Sequence, residues 1–251
     1  MGFDAVLFDL DGTLYRGETA IPHAPETVRE LVQLGVRVGY VTNNSTRTRV
    51  QFAEKLCALG FPAEPEQTFG TAYGVARYVR SIGVKTVYVV GEAGLVQTLC
   101  EHEVYVGEAG DRVDAVIVGL DREFHYRRLE AAMAHIRAGS QYVATNADTT
   151  YPLDGGQLIP GAGSIVAAVT AASGVEPHVI GKPNPDLIQL AMQSLGVEPS
   201  RTLVVGDRMD TDIEAGRRAG CPVHLVLCGV TPTAVPGVPS SDDVRGVLDR
   251  L

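Results

Sequence analysis

The feature that most constrains this chain is an alternation of short, continuous, Val-rich apolar runs with segments of helical period. A run that is apolar at every position, not every second one, suits a strand buried on both faces. That arrangement belongs to a parallel sheet covered by helices on either side. The runs fall at 5–8, 36–41, 87–90, 115–118, 142–144, 203–205 and 223–227. Between them, Val50, Ala53, Leu56 and Leu59 share one helical face, as do Leu129, Met133 and Ile136, and later Leu187, Leu190, Ala191 and Leu195. Gly35, Gly60, Gly139, Gly196 and Gly220 stand where such helices should stop. The pattern predicts an α/β fold with a doubly wound parallel sheet.

The strands differ in the residues at their carboxyl ends. Those beginning at residues 5, 36 and 203 run into clusters of Asp, Thr and Asn. Ligands of open parallel sheets collect at the carboxyl ends of strands, so these clusters are expected to converge. The middle third has its own strands and helices but no comparable cluster until 145–148. We therefore expect residues 1–82 and 179–251 to form a core domain and residues 83–178 an inserted one, with hinges near 81–84 and 178–181. The stretch 231–241, rich in Pro and Ser, reads as loop before a short helix.

Composition narrows the possible roles. A formal net charge of -9 argues against a nucleic-acid or membrane-surface partner, since both select a basic face. With 45% apolar residues the chain can bury a core without disulfide staples. Cys57, Cys100, Cys221 and Cys228 match neither zinc spacing nor a CxxC pair, and read as reduced, mostly buried small hydrophobes. The start of the chain enters a strand carrying Asp4 and Asp9, not a signal peptide, and Val6 spoils a myristoylation match at Gly2. No apolar run suffices to span a bilayer, so a cytoplasmic protein is expected. The six histidines show no metal-like spacing.

Four clusters carry chemistry. In Asp9-Leu10-Asp11-Gly12-Thr13, directly after an apolar strand, carboxylates at i and i+2 of an extended segment point the same way. Such a pair can hold a hard cation and supply a nucleophile and a proton donor. Thr42-Asn43-Asn44-Ser45 ends another strand and, if it enters a helix, offers a hydroxyl and backbone N–H groups to an anion; helix capping would use the same residues. Lys182, in Gly181-Lys182-Pro183-Asn184-Pro185, precedes a proline-started helix and is a cation suited to phosphate or carboxylate. It is not part of a P-loop, whose upstream glycines are missing. In Gly206-Asp207-Arg208-Met209-Asp210-Thr211-Asp212, one of Asp207 and Asp212 could ligate a metal while the other steadies it, and Asp210 serves equally as a helix cap.

In this order, each beside an apolar strand or helix start, the clusters resemble the four signature motifs of the haloacid dehalogenase superfamily. Asp11 is the residue that its phosphatases and phosphomutases carry and its dehalogenases lack. Thr145-Asn146-Ala147-Asp148 and Pro160-Gly161-Ala162-Gly163 add a resemblance to the NagD and p-nitrophenyl phosphatase branch. The resemblance implies a Rossmann-like core with a large α/β cap inserted between the second and third motifs. It implies Asp9 as nucleophile, Asp11 as general acid and base, and Mg²⁺ held by Asp9, the Asp11 carbonyl and Asp207, with Asp212 in support. Thr42, Asn43 and Lys182 would grip phosphate, while Asn146 and Asp148 of the cap would meet substrate. The expected partner is a small phosphorylated metabolite, bound by a monomer or homodimer. A phosphomutase would share every core motif. A non-catalytic phospho-ligand sensor should have lost Asp9, Asp11, Lys182 or Asp207, and none is lost.

Overall fold

A computed structural model describes residues 2–152 and 158–251. The first stretch runs β1 (Ala5–Asp9), a hairpin of β2 (Tyr15–Arg16) and β3 (Thr19–Ala20), α1 (Ala24–Gln33), β4 (Arg37–Thr42), α2 (Arg49–Ala58) and β5 (Thr68–Gly70). The middle stretch holds α3 (Thr71–Ser81), β6 (Thr86–Val90), α4 (Ala93–Glu101), β7 (Tyr105–Val106), β8 (Ala115–Val118), α5 (Tyr126–Arg137) and β9 (Gln141–Ala144). It continues through a hairpin of β10 (Thr150–Pro152) and β11 (Leu158–Pro160) to α6 (Ala162–Ser173) and β12 (His178–Val179). The last stretch holds α7 (Asp186–Leu195), β13 (Thr202–Gly206), α8 (Glu214–Arg218), β14 (Val223–Val226) and β15 (Ser240–Ser241).

The chain folds as two compact units. The first comprises 1–42, 49–69 and 182–251; the second comprises 43–48 and 70–181. Thus α3 and the short loop 43–48 both pack with the second unit.

In the first unit six strands lie in the order β15-β14-β13-β1-β4-β5. β1 pairs in parallel with both β4 and β13, opposite Arg37–Val41 and Thr202–Val205. Going outward from β1, the chain fills one side first and returns to fill the other, so β1 sits at the point where strand order reverses. Ala5, Val6, Leu7 and Phe8 are wholly buried, as the unbroken apolar run requires. Full burial of a side chain the size of Leu7 or Phe8 contributes about 1.5–3 kcal/mol. Phe8 joins Val6, Leu31, Tyr40, Phe52 and Leu203 in one core cluster.

The second unit repeats the plan with five parallel strands in the order β12-β9-β8-β6-β7. Its core gathers Val90, Val116, Val118 and Ala144 with Ala132 and Ile136 of α5 and Val166 and Val169 of α6. Sheets and flanking helices therefore match the expected α/β class, and a short strand ends the segment 231–241 that read as loop.

Details of the helices differ from the pattern. In α2 the buried stripe is Phe52, Ala53 and Leu56, while Val50 points to solvent at 52% exposure. In α5 it is Ala131, Ala132, His135 and Ile136 instead of a stripe centred on Leu129 and Met133. In α2 the bulkier Phe52 takes the buried position in place of Val50, whereas in α5 the small Ala131 and Ala132 form the buried stripe. Two cysteines, Cys57 and Cys100, are exposed on helices, which corrects the expectation that most are buried; all four are free thiols. No described helix is long and apolar enough to cross a membrane.

Candidate active site

The site of the first unit is built on the carboxyl ends of β1, β4 and β13. Asp9 is the last residue of β1, Thr42 the last of β4, and Asp207 follows Gly206 at the end of β13. Beyond Asp207 the chain makes one wide π-helical turn over Met209–Ile213 before α8. That turn folds Asp212 back toward the strand end, where its carboxylate accepts the Arg208 N–H at 3.0 Å. Such turns recur at functional sites because they aim one side chain off the helix axis. Asp9, Asp207 and Asp212 each present an oxygen, all within 4.8 Å of one another.

Lys182 enters this cluster from the start of the final stretch. Its ammonium donates to Asp9 Oδ1 at 2.5 Å, to Asp212 Oδ1 at 2.7 Å and, more weakly, to the Val41 carbonyl at 3.4 Å. The side chain is buried at 4% exposure, so three acceptors around three donors are what keep the charge tolerable.

Space for the carboxylates comes from glycine. A Cβ on Gly12 would stand 2.5 Å from Asp207 Oδ2, and Gly12 also needs its positive φ of 93°. On Gly229 the added atom would be 2.0 Å from the same oxygen, and on Gly206 it would be 2.3 Å from the Asp212 Cβ. The Val230 N–H binds Asp207 Oδ2 at 2.6 Å, and the Thr13 hydroxyl lies 3.5 Å from Oδ1. Asp207 is held on all sides, with no accessible surface.

Three carboxylates and one ammonium leave an excess of buried negative charge. Burial raises the Asp9 carboxyl well above the usual carboxylate range, and Asp212 and Asp207 add to this against the pull of Lys182. Asp207 is pushed up to about 6 by burial and then by Asp212, with the Val230 N–H and Lys182 opposing. For Lys182, burial alone would lower its proton affinity, but Asp212 and Asp9 outweigh it and the net direction is upward. An all-oxygen, over-acidic pocket of this kind is chemically matched to a hard divalent cation.

The other residues singled out in the sequence are held by different contacts. Asp11, partly buried two residues past Asp9, is backbone-paired with Tyr15. Asn43 belongs to the second unit, where Asp148 accepts its amide at 2.9 Å. Its carbonyl accepts both the Asn146 amide and the Thr71 hydroxyl at 2.8 Å. Thus Asn43, Asn146 and Asp148 form one network within the second unit. Since α2 starts only at Arg49, the segment after Thr42 is a loop and not a helix N-terminus. Asn44 there caps a turn instead, accepting from the Thr46 N–H and hydroxyl at 2.8 Å.

Comparison with known proteins agrees with this architecture. Residues 6–105 match a family described as haloacid dehalogenase-like hydrolase, and residues 179–245 match a HAD-hydrolase-like family. The 5'-nucleotidase YutF of Bacillus subtilis is 41% identical over 230 residues, which cover 91% of this chain and 89% of the relative. The chain belongs to the haloacid dehalogenase-like hydrolases. The p-nitrophenyl phosphatase from Archaeoglobus fulgidus superposes with a TM-score of 0.93 at 29% identity, covering 100% of both chains. A glycerol phosphate phosphatase from Mycobacterium tuberculosis, crystallised with magnesium, aligns with a TM-score of 0.88 at 36% identity, over 98% of this chain and 77% of that one. Within the haloacid dehalogenase-like hydrolases it thus groups with the NagD-like p-nitrophenyl phosphatases.

For a haloacid dehalogenase-like hydrolase the sequence motifs name the charged groups but not their supports. Thr13, Gly229 and Val230 all touch Asp207 and none was picked out as a site residue. Thr13 ends the Asp9–Thr13 motif. Gly229 and Val230 follow β14 in a Cys-Gly-Val-Thr stretch with no acidic residue, so only the position just past a strand end points to them.

Proposed function

We propose that this chain is a Mg²⁺-dependent phosphatase that hydrolyses a small phosphorylated metabolite through an aspartyl-phosphate on Asp9. The enzyme class, phosphoric monoester hydrolase, follows from the family. The observation that carries the finer reading is the convergence of Asp9, Asp207 and Asp212 on one oxygen-lined point with Lys182 beside it.

The Asp9 carboxylate attacks phosphorus in line with the leaving oxygen, so a carboxylate–phosphorus bond forms as the ester bond breaks. Asp11 gives its proton to the departing oxygen. It then takes a proton from the water that attacks the acyl phosphate, which releases inorganic phosphate and restores Asp9. Lys182 and the Thr42 hydroxyl stabilise charge on the transferring phosphoryl oxygens, with Asn43 as a further donor. Asp9, Asp207 and the Asp11 carbonyl would hold the Mg²⁺, which when bound offsets repulsion between the carboxylates and the incoming phosphate. Asp212 orients Lys182 and is itself fixed by the Arg208 N–H. The second unit is read as the cap, with Asn146 and Asp148 acting on substrate through the Asn43 network they share.

The small-metabolite reading is supported by relatives named for nucleotide and glycerol phosphate substrates. The test is hydrolysis of p-nitrophenyl phosphate with and without Mg²⁺ by the intact protein and by Asp9→Asn. Metal-dependent turnover that the variant loses by at least about 10³-fold is expected. Turnover that survives in the variant excludes Asp9 as nucleophile.

A further inference from the structure

We propose that Lys55 is a positioning residue for Asp11, acting through the β2–β3 hairpin. This rests on the reading of Asp11 as general acid.

Lys55 lies in the last turn of α2, yet its side chain is only 11% exposed. Its ammonium sits 4.1 Å from the centre of the Tyr15 ring and 3.3 Å from Glu18 Oε1. Both partners belong to the hairpin segment, Tyr15 on β2 and Glu18 in the turn before β3. A cation over a ring face and beside a carboxylate is held from two directions, which fixes the hairpin rather than one side chain. Tyr15 is 1% exposed and shares its core cluster with Phe52 and Leu56, the buried stripe of the same helix.

Tyr15 is in turn tied to the catalytic loop by its backbone. Its carbonyl accepts the Gly12 N–H at 2.8 Å, its N–H donates to Leu10 at 3.2 Å, and it forms an isolated bridge with Asp11. Displacement of Tyr15 therefore carries Asp11 with it, while Asp9 stays on β1 in register with Val41. Lys55 meets the hairpin, and the hairpin sets where Asp11 stands relative to the leaving oxygen.

A purely structural latch and a positioning residue separate by leaving group. Protonation by a general acid matters most when the departing oxygen is basic, so misplaced Asp11 should hurt phenyl phosphate more than p-nitrophenyl phosphate. The experiment measures kcat/KM for both esters in the intact protein, Lys55→Met, Lys55→Arg and Asp11→Asn, each assayed below its melting temperature. Lys55→Met is expected to lose about tenfold more on phenyl phosphate than on p-nitrophenyl phosphate, with Lys55→Arg close to the intact protein. Asp11→Asn should show the same bias, larger. Equal losses on both esters in Lys55→Met, or no loss, beside a biased Asp11→Asn, would overturn the role of Lys55 alone. An unbiased Asp11→Asn would remove the general-acid reading and this inference with it.

Discussion

The two units use the same parallel-sheet plan and differ in the groups that occupy the carboxyl ends of the strands. In the first unit those ends carry Asp9, Thr42 and Asp207, and glycines at 12, 206 and 229 make room for carboxylates. In the second they carry Gly91, Gly119 and Thr145, and the space is taken by peptide from the loop 43–48. A Cβ on Gly94 would stand 2.3 Å from the Thr46 carbonyl, one on Gly119 3.0 Å from the Ser45 hydroxyl, and one on Gly181 2.8 Å from Asn43 Oδ1. A sheet of this kind always offers a crevice there. Filling it with buried charge creates a reactive site at a cost in stability, whereas filling it with backbone and hydroxyls creates a docking seat.

The sharpest way to break that contrast is Lys182→Met. It leaves Asp9 and Asp212 buried without their cation, so unfolding free energy should fall by about 3–5 kcal/mol and turnover by at least about 10³-fold. Urea titration and a p-nitrophenyl phosphate assay measure the two losses. Preserved stability would mean the acidic cluster is less costly than its burial implies. Next come paired glycine substitutions. Gly229→Ala should push Asp207 aside and lower kcat about 10²-fold, with half-saturating Mg²⁺ raised. Gly94→Ala should instead cost about 1–3 kcal/mol in melting experiments with a smaller effect on kcat. If both variants behave alike, the two crevices are not doing different jobs.

A third prediction uses pH. His224, buried on β14 against Ser241 and near Arg250, is depressed to about 4 by burial, then by Arg250, with Asp249 opposing. Its ordinary value is 6.5, so between those values the unfolded chain binds the proton that the folded chain refuses. Stability contributed by neutral His224 is thus complete above about 6.5 and is lost as pH falls toward 4. At pH 5 the loss is about 2 kcal/mol, and His224→Gln should show a correspondingly shallower decline between pH 7 and 5. Parallel curves for the two proteins would reject the assignment. The smallest effect belongs to Thr13→Val, which removes a 3.5 Å contact to Asp207. It should cost under about 1 kcal/mol and change kcat only a few-fold, measured on the same assays.

Much of this was legible in the chain because charge and period are local signals. The seven apolar runs each became a strand, with ends moved by a residue or so. Asp9, Lys182, Asp207 and Asp212 were named from their motifs and stand together in the structure. Other features depend on partners distant in sequence. Val230 reaches Asp207 across 23 positions, and Lys55 reaches Tyr15 across α1 and β4. The boundary expected at 83 rests on where the middle third begins its own strands, whereas the compact units divide at Gly70 and also separate out 43–48. A six-residue loop that packs away from its flanking helix leaves no trace in hydrophobic period.

That loop also bears on how such proteins can be recombined. Since the second unit includes 43–48 as well as 70–181, its covalent borders number four, not two. A chimera that exchanges only the long segment would import strand ends shaped for one loop and present them with another. Grafts between relatives should therefore succeed when both segments travel as a set, and lineages that shuffled this module would have had to inherit the pair.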